Sequence, residues 1–347
     1  MTSGGCGDVD VSVLIPVYNE LSHIRETAAR MRRQQFDGSF ELLFIDGFSE
    51  DGTRAVLEEL AGEDPQVRLL DNPARHIPCA LNVGLAHARG EFVARMDAHT
   101  YYPDNYLQRG VERLRRGDVA WVSGAALPYG VGGWSKRAEL ALGTWLGVGG
   151  ASFRRGADRE FDSDTGFTGV LRRATLESHG GWDEESLVNE DAELAARVRQ
   201  AGGRIVCIPE LAARYVPRDS LKDLAHQYWR YGQFRARTSR LHPESMRRSN
   251  LLPPVLFLTV IGRAFAPGRL RRPLGAGVAL YGLSVAGVSI RSAKDASWRD
   301  GALLPLVFLT MHLAWGGGFL VGCVRFGPPF SAIAKAIGLG RWRWRRG

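Results

Sequence analysis

Two side chains with metal-binding chemistry, Asp97 and His99, stand two residues apart in the stretch GEFVARMDAHTYYP, where a run of strand-forming residues ends. A carboxylate and an imidazole can together hold a divalent cation, and this mixed pair suits Mn²⁺ better than oxygen ligands alone. The same side chains could instead cap the helix expected after Pro103 or give an ordinary turn its polarity. The Asp-x-His pair by itself favours a capping or turn role, so its meaning depends on what lies near it.

A second polar cluster follows the first apolar run, which ends in the residues PVYNE. Pro16, Val17, Tyr18 and Glu20 are expected at a strand end, where a nucleotide base or ribose could dock. Asn19 could equally be the N-cap of the next helix, with Glu20 in its first turn. The local pattern leaves both interpretations open.

A third cluster, IDGFSEDGT, follows the next strand-like run. Its first carboxylate, Asp46, could accept the imide hydrogen of uracil. If a nucleotide diphosphate lies across these strand ends, its phosphates require a counter-ion. In that setting a Mg²⁺ or Mn²⁺ ion held by Asp97 and His99 becomes the favoured interpretation. The remaining polar residues are expected to cap the following helix and to face the sugar and phosphates: Ser49, Asp51 and Thr53.

Two adjacent carboxylates, Glu190 and Asp191, begin a helix-like segment in the stretch NEDAELAARVRQ. Acidic residues in the first turn of a helix are stabilised by its dipole, so a structural role is the simpler interpretation. Both carboxylates cannot serve the same cap, which leaves one as a general base for an acceptor hydroxyl. We assign that role to Asp191. The apolar face of this helix is predicted to include Leu194, Ala195 and Val198.

An aromatic and basic segment, HQYWRYGQFRART, spans residues 226–238. The guanidinium of Arg230 could grip a phosphate. A basic helix beside a membrane has the same composition, and the sequence leaves these two interpretations open.

The polar clusters lie at the ends of strand-like runs, in a regular alternation of strand and helix up to about residue 215. Predicted strands cover 11–18, 40–46, 67–71 and 91–97, and each is followed by a segment with helical periodicity. This alternation is typical of βαβ units in a mainly parallel α/β sheet. Ligands bind beyond the carboxyl ends of such strands, so the clusters are expected to meet at one edge.

The composition limits the class of partner. The chain has 347 residues and a net charge of +8, with arginine concentrated after about residue 230. No nucleic-acid module is recognisable and the basic segments flank apolar runs, which favours an anionic membrane surface over nucleic acid. The N-terminal residues lack a signal-peptide pattern, which predicts a cytosolic catalytic part. The four cysteines lack metal-ligand spacing and are predicted to be reduced thiols: Cys6, Cys79, Cys207 and Cys323.

Three apolar segments without formal charge lie near the C-terminus, at 251–262, 274–290 and 303–324. The last is long enough to span a bilayer, the second is borderline and the first is too short, and a buried core helix is an alternative for each. The Arg- and Trp-rich tail RWRWRRG predicts a cytosolic C-terminus, which requires two crossings and an interfacial or re-entrant first segment. We therefore expect a catalytic domain at 1–240, a membrane-associated helical region at 241–347, and a location at the inner (plasma) membrane.

Taken in order, five motifs resemble those of inverting family 2 glycosyltransferases: VSVLIPVYNE, LLFIDGFSEDGT, ALNVGLAHARGEFVARMDAHTYYP, NEDAEL and QYWRY. The resemblance covers about residues 10 to 240. It is greatest to the membrane-associated glucosyltransferases of succinoglycan-type exopolysaccharide assembly. It implies a GT-A (nucleotide-diphospho-sugar transferase) fold with a mainly parallel central sheet, followed by membrane-associated helices.

The resemblance also implies roles for individual residues. The PVYNE residues and Asp46 would hold the uridine of a UDP-sugar, and Asp97 would begin the metal motif. Asp191 would be the base, with Glu190 beside it in the catalytic pair. Three residues stand where Gln-x-x-Arg-Trp stands in processive synthases and would bind the donor, with Arg230 stabilising the leaving diphosphate: Gln227, Arg230 and Tyr231.

The sequence departs from the family pattern at three positions. His99 replaces the usual second aspartate of the metal motif, and Gly47 replaces a second aspartate on the nucleotide side. Tyr231 replaces the tryptophan of the processive synthases, which weakens the case for processivity.

The implied reaction transfers a sugar, glucose in the proteins it resembles, from UDP to a polyprenyl-diphosphate-linked saccharide. Rival interpretations are a processive synthase, a polyprenyl-phosphate sugar synthase and an inactive membrane scaffold. Two or three short apolar segments are too few for a translocation channel. Intact Asp46, Asp97 and Asp191 argue against a scaffold.

The stretches 126–150 and 162–173 are predicted to line the acceptor side. Gly166 and Gly169 could let the backbone approach a sugar, with a plain turn as the alternative. Three tryptophans could stack on sugar rings, although core packing is the expected role for at least two of them: Trp134, Trp145 and Trp182.

Overall fold

A computed structural model of the protein describes residues 9–150, 154, 156, 158–294 and 296–339. Cys6 and the basic tail at 341–347 lie outside the described residues, as do the predictions made for them.

The chain packs as two units. The first is formed by Met1–Leu127 and Arg155–Tyr215, and the second by Pro128–Arg154 and Val216–Gly347. Each unit thus combines stretches that are separated along the chain.

Strands in the described residues belong to two sheets, one of eight strands and one of three. In chain order they are β1 (Val11–Val17), β2 (Phe40–Asp46), β3 (Val67–Asp71), β4 (Phe92–Arg95), β5 (Thr100–Tyr101), β6 (Trp121–Ser123), β7 (Ala126–Pro128), β8 (Phe161–Asp162), β9 (Gly169–Arg172), β10 (Ile205–Cys207) and β11 (Ala213–Tyr215).

The α-helices are named in the same way. They are α1 (Leu21–Arg32), α2 (Thr53–Glu63), α3 (Ile77–His87), α4 (Tyr106–Arg115), α5 (Gly133–Leu142), α6 (Trp145–Val148), α7 (Arg173–Ser178), α8 (Glu190–Gln200), α9 (Leu221–Leu241), α10 (Leu252–Phe265), α11 (Gly268–Ala293), α12 (Trp298–Phe326) and α13 (Phe330–Ala336).

The larger sheet has the strand order β3-β2-β1-β4-β9-β6-β10-β8. Strands β3, β2, β1 and β4 are parallel to one another, and β6 is parallel to β10. Strand β9 runs antiparallel between β4 and β6, and β8 is antiparallel to β10. The prediction of a mainly parallel α/β sheet is confirmed, with the antiparallel strands β8 and β9 as an addition.

Successive side chains of a strand point to opposite faces of the sheet. Because both sets are apolar in these strands, helices cover both faces. On β1, Val13 and Ile15 face a core cluster completed by α1, α2 and α4, whereas Leu14 faces a cluster completed by α3 and α8. On β2, Phe44 and Ile45 divide in the same way. The predicted apolar face of α8 is buried in the second cluster: Leu194, Ala195 and Val198.

The strand ends that carry the polar clusters lie at one edge of the sheet. Val17 is level with Asp46, and Asp46 is level with Asp71, in the parallel register. Arg95, the last residue of β4, is level with Leu14. The loops after β1, β2 and β4 therefore emerge side by side, as expected for the carboxyl ends of parallel strands.

The second unit is mostly helical, and in it α9 packs closely against α12. A Cβ built on Gly232 would lie 2.1 Å from the carbonyl oxygen of Trp315, and one on Gly318 would lie 2.1 Å from the carbonyl oxygen of Trp229. Only glycine allows backbones to approach so closely. Because α9 packs in this way, residues 216–240 group with the C-terminal helices, whereas the sequence predicted a catalytic domain that extends to residue 240.

Two helices of this unit, α11 and α12, are long and apolar enough to cross a membrane by length and composition. They contain the predicted apolar segments 274–290 and 303–324. Helix α10, which contains most of segment 251–262, has 14 residues. That length is too short to cross a bilayer.

Candidate active site

Asn19 joins the loop after β1 to the loop after β2. Its backbone N–H donates to Ser49 Oγ at 2.8 Å, and its side-chain Oδ1 accepts from the N–H of Glu50 at 2.9 Å. Its φ of 53° lies in the left-handed region, which asparagine tolerates better than most residues. The alternative that Asn19 is the N-cap of α1 is wrong, because Glu20 occupies that position.

The same two loops are joined again beside the helix starts. The N–H of Glu20 donates to Thr53 Oγ1 at 2.9 Å, and the N–H of Leu21 donates to Asp51 Oδ2 at 3.1 Å. Burial opposes the charged form of Asp51, but hydrogen bonds from Thr53 and Leu21 outweigh it and hold its pKa below the usual value. The N-cap position of α2 is Gly52, yet Asp51 Oδ1 accepts from the N–H of Thr53, the first residue of α2, at 3.0 Å. Of the polar residues predicted to cap this helix, Asp51 therefore bonds to its first turn, and all three also join the two loops.

Asp46, the predicted partner of uracil, is fully buried at the end of β2. Its Oδ1 accepts from Ser49 Oγ at 2.6 Å, and its Oδ2 accepts from Arg54 Nη1 at 3.2 Å. The same Arg54 nitrogen donates to Asp71 Oδ1 at 2.8 Å. Contact between Asp46 and a base therefore requires Arg54 or Ser49 to turn away. Sequence reasoning did not find Arg54, because no pattern predicts the partners of a long side chain after a turn.

Tyr18 presents its ring at the end of β1, where 44% of the residue is exposed. The guanidinium of Arg75 lies over this ring, 5.7 Å from its centroid. Beside the ring, a Cβ at Gly47 would come within 3.1 Å of Tyr18 Cδ2. This crowding explains physically why glycine suits the position at which the family pattern has an aspartate. Pro16 and the buried Val17 complete the strand end.

Asp97 and His99 lie in a turn after β4, where the N–H of Thr100 donates to the Asp97 carbonyl at 3.1 Å. The turn interpretation is therefore right for the backbone. The capping alternative is wrong, because the N-cap position of α4 is Asn105. The imidazole Nδ1 of His99 lies 3.0 Å from Glu20 Oε1, so the side chain reaches across to the loop after β1.

A buried arginine connects the end of β4 to the start of α8. Arg95 Nε donates to Asp97 Oδ1 at 3.0 Å, and its Nη1 donates to Glu190 Oε1 at 2.8 Å. The three side chains are 9%, 14% and 9% exposed. Burial opposes the charge of Arg95, but Asp97, Glu190 and Asp191 outweigh it and hold the pKa of Arg95 above its usual value. This link brings together two motifs that the sequence could only treat separately.

The two carboxylates at the start of α8 have different surroundings. Glu190 is 7% exposed and is held by Arg95. Asp191 is less buried and accepts on Oδ1 from the N–H of Ala192 at 2.7 Å. Glu190 was predicted to be catalytic, but its partner and its burial suit a positioning role. The role of Asp191 as the base stays a prediction.

Few side chains at the end of β4 could serve as metal ligands. Among the described residues, no group of three or more His, Cys, Asp or Glu side chains is arranged to hold a metal ion. Asp97 and His99 would supply two ligands, and within the described residues the hydrogen bonds to the Asp97 carboxylate reach Oδ1 and not Oδ2. This set fits a divalent cation whose other ligands are phosphate oxygens and water.

Three predicted donor-binding residues lie on α9, in the second unit. The ring of Tyr231 packs 5.6 Å from that of Tyr228. Roles toward a donor stay predictions for all three: Gln227, Arg230 and Tyr231.

Two glycines predicted on the acceptor side pack against the core. A Cβ on Gly166 would lie 2.4 Å from Trp121 Cε2, and one on Gly169 would lie 2.4 Å from Trp121 Nε1. Trp121 is 2% exposed, so these glycines make room for its ring and their presence needs no sugar to explain it. Of the tryptophans predicted to stack or pack, Trp182 is buried in the core and Trp145 is 64% exposed.

Comparison with known proteins decides the family. Residues 12–180 match the family model of glycosyl transferase family 2. The succinoglycan biosynthesis protein ExoA of Rhizobium meliloti (strain 1021) is 32% identical over 309 residues, 88% of this chain and 93% of that protein. The chain belongs to glycosyl transferase family 2.

A second relative of this glycosyltransferase is the dolichyl N-acetyl-alpha-D-glucosaminyl phosphate 3-beta-D-2,3-diacetamido-2,3-dideoxy-beta-D-glucuronosyltransferase of Methanococcus voltae. It is 24% identical over 64% of this chain and 71% of that protein. Among solved structures, the mannosyltransferase PcManGT from Pyrobaculum calidifontis, in complex with GDP-Man and Mn²⁺, is similar with a TM-score of 0.51 and 20% identity. The match covers 94% of this chain and 87% of that chain, and it confirms the predicted GT-A fold.

Proposed function

We propose that this family 2 enzyme transfers a sugar, with inversion, from a UDP-sugar to a lipid-linked saccharide during synthesis of an exopolysaccharide or another cell-surface glycan. Glucose is the proposed sugar. The observation that carries the proposal is the buried Arg95, which ties Asp97 at the end of β4 to Glu190 at the start of α8. Asp191, the proposed base, is the next residue of that helix.

The loops after β1 and β2 would bind the nucleotide. Tyr18 is 44% exposed, and uracil would stack on its ring in place of the Arg75 guanidinium that lies over it, with Pro16 and Val17 shaping the strand end. Asp46 would receive the imide hydrogen of uracil after Arg54 turns away. This exchange would replace an internal ion pair with a contact to the ligand.

A divalent cation, Mg²⁺ or Mn²⁺, would be held by Asp97 and His99, and when bound it would neutralise the diphosphate that leaves. Arg230 would add a second positive charge to the same group, with Gln227 and Tyr231 as further donor contacts. The assignment of the cation is supported by the chemistry of its two proposed ligands, one carboxylate and one imidazole.

The proton transfer is assigned to Asp191. Its carboxylate takes the proton of the acceptor hydroxyl as that oxygen forms a bond to the anomeric carbon, and the bond from this carbon to the UDP oxygen breaks with its electron pair. Attack from the face opposite UDP converts an α-linked donor into a β-linked product. Arg95 and Glu190 hold the start of α8 in place, so that Asp191 meets the acceptor in a fixed position.

The lipid-linked acceptor is supported by α11 and α12, which have the length and composition of membrane-crossing helices. The relative ExoA is named for succinoglycan biosynthesis. We therefore place the reaction at the inner (plasma) membrane, with the catalytic part in the cytoplasm and a polyprenyl-diphosphate-linked saccharide as acceptor.

The proposal is tested with purified full-length protein, a panel of UDP-sugars with GDP-mannose, and a lipid-linked saccharide as acceptor. Asp191→Asn is expected to lower the transfer rate by about 10²- to 10⁴-fold while UDP binding is retained. EDTA and Asp97→Ala are both expected to abolish transfer. Asp37→Asn, which alters an exposed carboxylate after α1, is the matched control and should leave the rate unchanged.

The products separate the remaining alternatives. Transfer to bare polyprenyl phosphate would replace the proposal with a lipid-phosphate sugar synthase, and products of many sugar units would replace it with a processive synthase. If no nucleotide sugar binds or reacts, the proposed donor class is wrong and a scaffold role gains support.

A further inference from the structure

Helices α10 and α11 of the second unit form an antiparallel hairpin, with residues 266–267 between them. A Cβ built on Gly277 of α11 would lie 3.6 Å from Thr259 Cγ2 of α10. Nearer the turn, a Cβ on Gly275 would lie 3.1 Å from Nε of Arg263, so this side chain reaches across to α11. Residues 263–272, the end of α10 with the start of α11, are called the hairpin tip. Both helices contribute to its surface.

The charge of the hairpin tip is entirely positive. No Asp or Glu occurs from residue 245 to residue 294. Within the described residues, no carboxylate pairs with any guanidinium of the tip. Like charges close together raise the free energy of the folded protein, and an anion that binds among them relieves this repulsion. Four exposed arginines thus form an anion-binding surface: Arg263, Arg269, Arg271 and Arg272.

Two large apolar side chains lie among these arginines. Phe265 is 85% exposed and Leu270 is 54% exposed. Exposed apolar surface of this kind marks contact with another molecule or with a membrane. It continues along both helices away from the tip, at Val255, Leu258 and Ile261 of α10 and at Leu280, Leu283 and Ile290 of α11.

The combination of arginine and apolar side chains fits a lipid bilayer. Guanidinium groups bind phosphate oxygens, and apolar side chains beside them can enter the boundary between headgroups and acyl chains. A nucleic acid offers phosphates but no apolar medium for Phe265 and Leu270. A symmetric dimer through the hairpin tip would place arginines against arginines.

We propose that the hairpin tip binds anionic phospholipids, with its arginines on the headgroup phosphates and with Phe265 and Leu270 inserted below them. Helix α10 is too short to cross a bilayer, so the tip precedes α11, the first of the two helices that could cross. With the catalytic part in the cytoplasm, the tip meets the cytoplasmic leaflet, whose anionic lipids attract basic segments. This choice of leaflet rests on the proposed function, whereas the preference for anionic lipid does not.

The test uses purified full-length protein in dodecyl maltoside, without any nucleotide sugar. Binding to mixed micelles that contain phosphatidylglycerol or phosphatidylcholine is measured by microscale thermophoresis. The wild type should prefer phosphatidylglycerol, and added salt should weaken this preference by screening. Arg269→Gln/Arg271→Gln/Arg272→Gln is expected to weaken binding of phosphatidylglycerol about 100-fold, or about fivefold for each arginine.

The matched control is Arg33→Gln/Arg116→Gln/Arg199→Gln, which removes three exposed arginines of the first unit and changes the net charge equally. It should bind phosphatidylglycerol as the wild type does. Both triple variants should keep the wild-type melting temperature in lipid-free detergent, because the substituted side chains are exposed. Equal loss of lipid binding in the two variants would overturn the inference, since net charge alone would then explain it.

A single substitution tests the insertion of the tip. Phe265→Ala is expected to weaken binding of both lipids about tenfold, because it removes apolar surface that the bilayer buries. The preference for phosphatidylglycerol should remain. Unchanged binding of both lipids would contradict insertion of the tip and overturn the inference.

Further outcomes separate this inference from its rivals and from the proposed function. Equal affinity of the wild type for the two lipids would overturn the inference and leave the transfer reaction intact. A wild-type dimer that becomes a monomer in the Arg269 triple variant would assign the tip to self-association instead. RNA bound as tightly as phosphatidylglycerol, and lost in the same variant, would assign it to nucleic acid. If no nucleotide sugar reacts while the lipid preference holds, the proposed function fails and the lipid-binding surface stands.

Discussion

The loops after β1, β2 and β4 form the loop edge of the first unit, and helices α9 and α12 form a closely packed pair in the second unit. These two regions are built from opposite kinds of contact. At the loop edge, polar side chains of one loop bond to the backbone of the next, as Ser49 and Thr53 do with the N–H groups of Asn19 and Glu20. In the helix pair, contact depends on the absence of a side chain, as at Gly318 against the Trp229 carbonyl.

This difference determines how each region responds to substitution. The position of a polar loop depends on particular oxygen and nitrogen atoms, so removing one side chain should move the site without disrupting the core. The helix pair depends on close backbone contact, so adding one methyl group should separate the helices. The first kind of contact suits residues that must exchange internal partners for a ligand, and the second suits a rigid support.

The largest effect is expected where the loop edge is tied to the core. Arg95→Met removes the cation between Asp97 and Glu190 and leaves both carboxylates largely buried without it. Breaking a buried ion pair from one side costs about 3–5 kcal/mol. We expect the free energy of unfolding to fall by this amount, and transfer to be lost, in urea denaturation and activity assays of the full-length protein.

The matched control is Arg25→Met, since Arg25 pairs with Glu59 at the surface with 62% and 50% of the side chains exposed. Its cost should be below about 0.5 kcal/mol. Similar losses for the two variants would mean that burial does not distinguish the Arg95 network from an ordinary surface pair.

The Arg95 network also marks the limit of what the sequence could predict. Strands β2 and β3 were predicted with their observed bounds, because compact runs of strand-forming residues between turn residues are a local signal. The Arg95–Glu190 pair joins residues 95 positions apart. No periodicity or spacing reports such a contact, so the partners of Asp97 and Glu190 emerged only from the fold.

The packing of α9 shows the same limit. The apolar pattern predicts that α12 is a helix, but it does not reveal which helix packs against its glycines. Close contact at Gly232 and Gly318 groups α9 with α12, and so separates residues 216–240 from the first unit. The catalytic domain at 1–240 stays a prediction.

An intermediate effect is expected from Gly318→Ala in the helix pair. The added Cβ would lie 2.1 Å from the Trp229 carbonyl oxygen, so the backbones must move apart. Overpacking of this kind costs about 1–3 kcal/mol. Thermal unfolding of the detergent-solubilised protein should show a lower melting temperature for this variant.

Helix α11 offers the matched control. Apart from the neighbouring residues and nearby backbone of the helix itself, no atom of the described residues lies within 4 Å of a Cβ built on Gly287. Gly287→Ala should be neutral or stabilising by up to about 1 kcal/mol, since alanine favours a helix over glycine. Equal melting temperatures of the Gly318 and Gly287 variants would contradict the close packing of α9 on α12.

The smallest effect is expected at Asn19, where one side chain both bonds to the Glu50 N–H and adopts a φ of 53°. Asn19→Gly keeps the backbone conformation and loses the bond, at a cost of about 0.5–1.5 kcal/mol. Asn19→Ala loses the bond and also strains the left-handed backbone, which adds about 1 kcal/mol. Urea unfolding should therefore rank wild type above the Gly variant and the Gly variant above the Ala variant. If the two variants are equally stable, the left-handed conformation is not retained. The positions of these loops would then depend on hydrogen bonds alone and not on a fixed backbone conformation. The helix pair, by contrast, depends on close approach of its backbones.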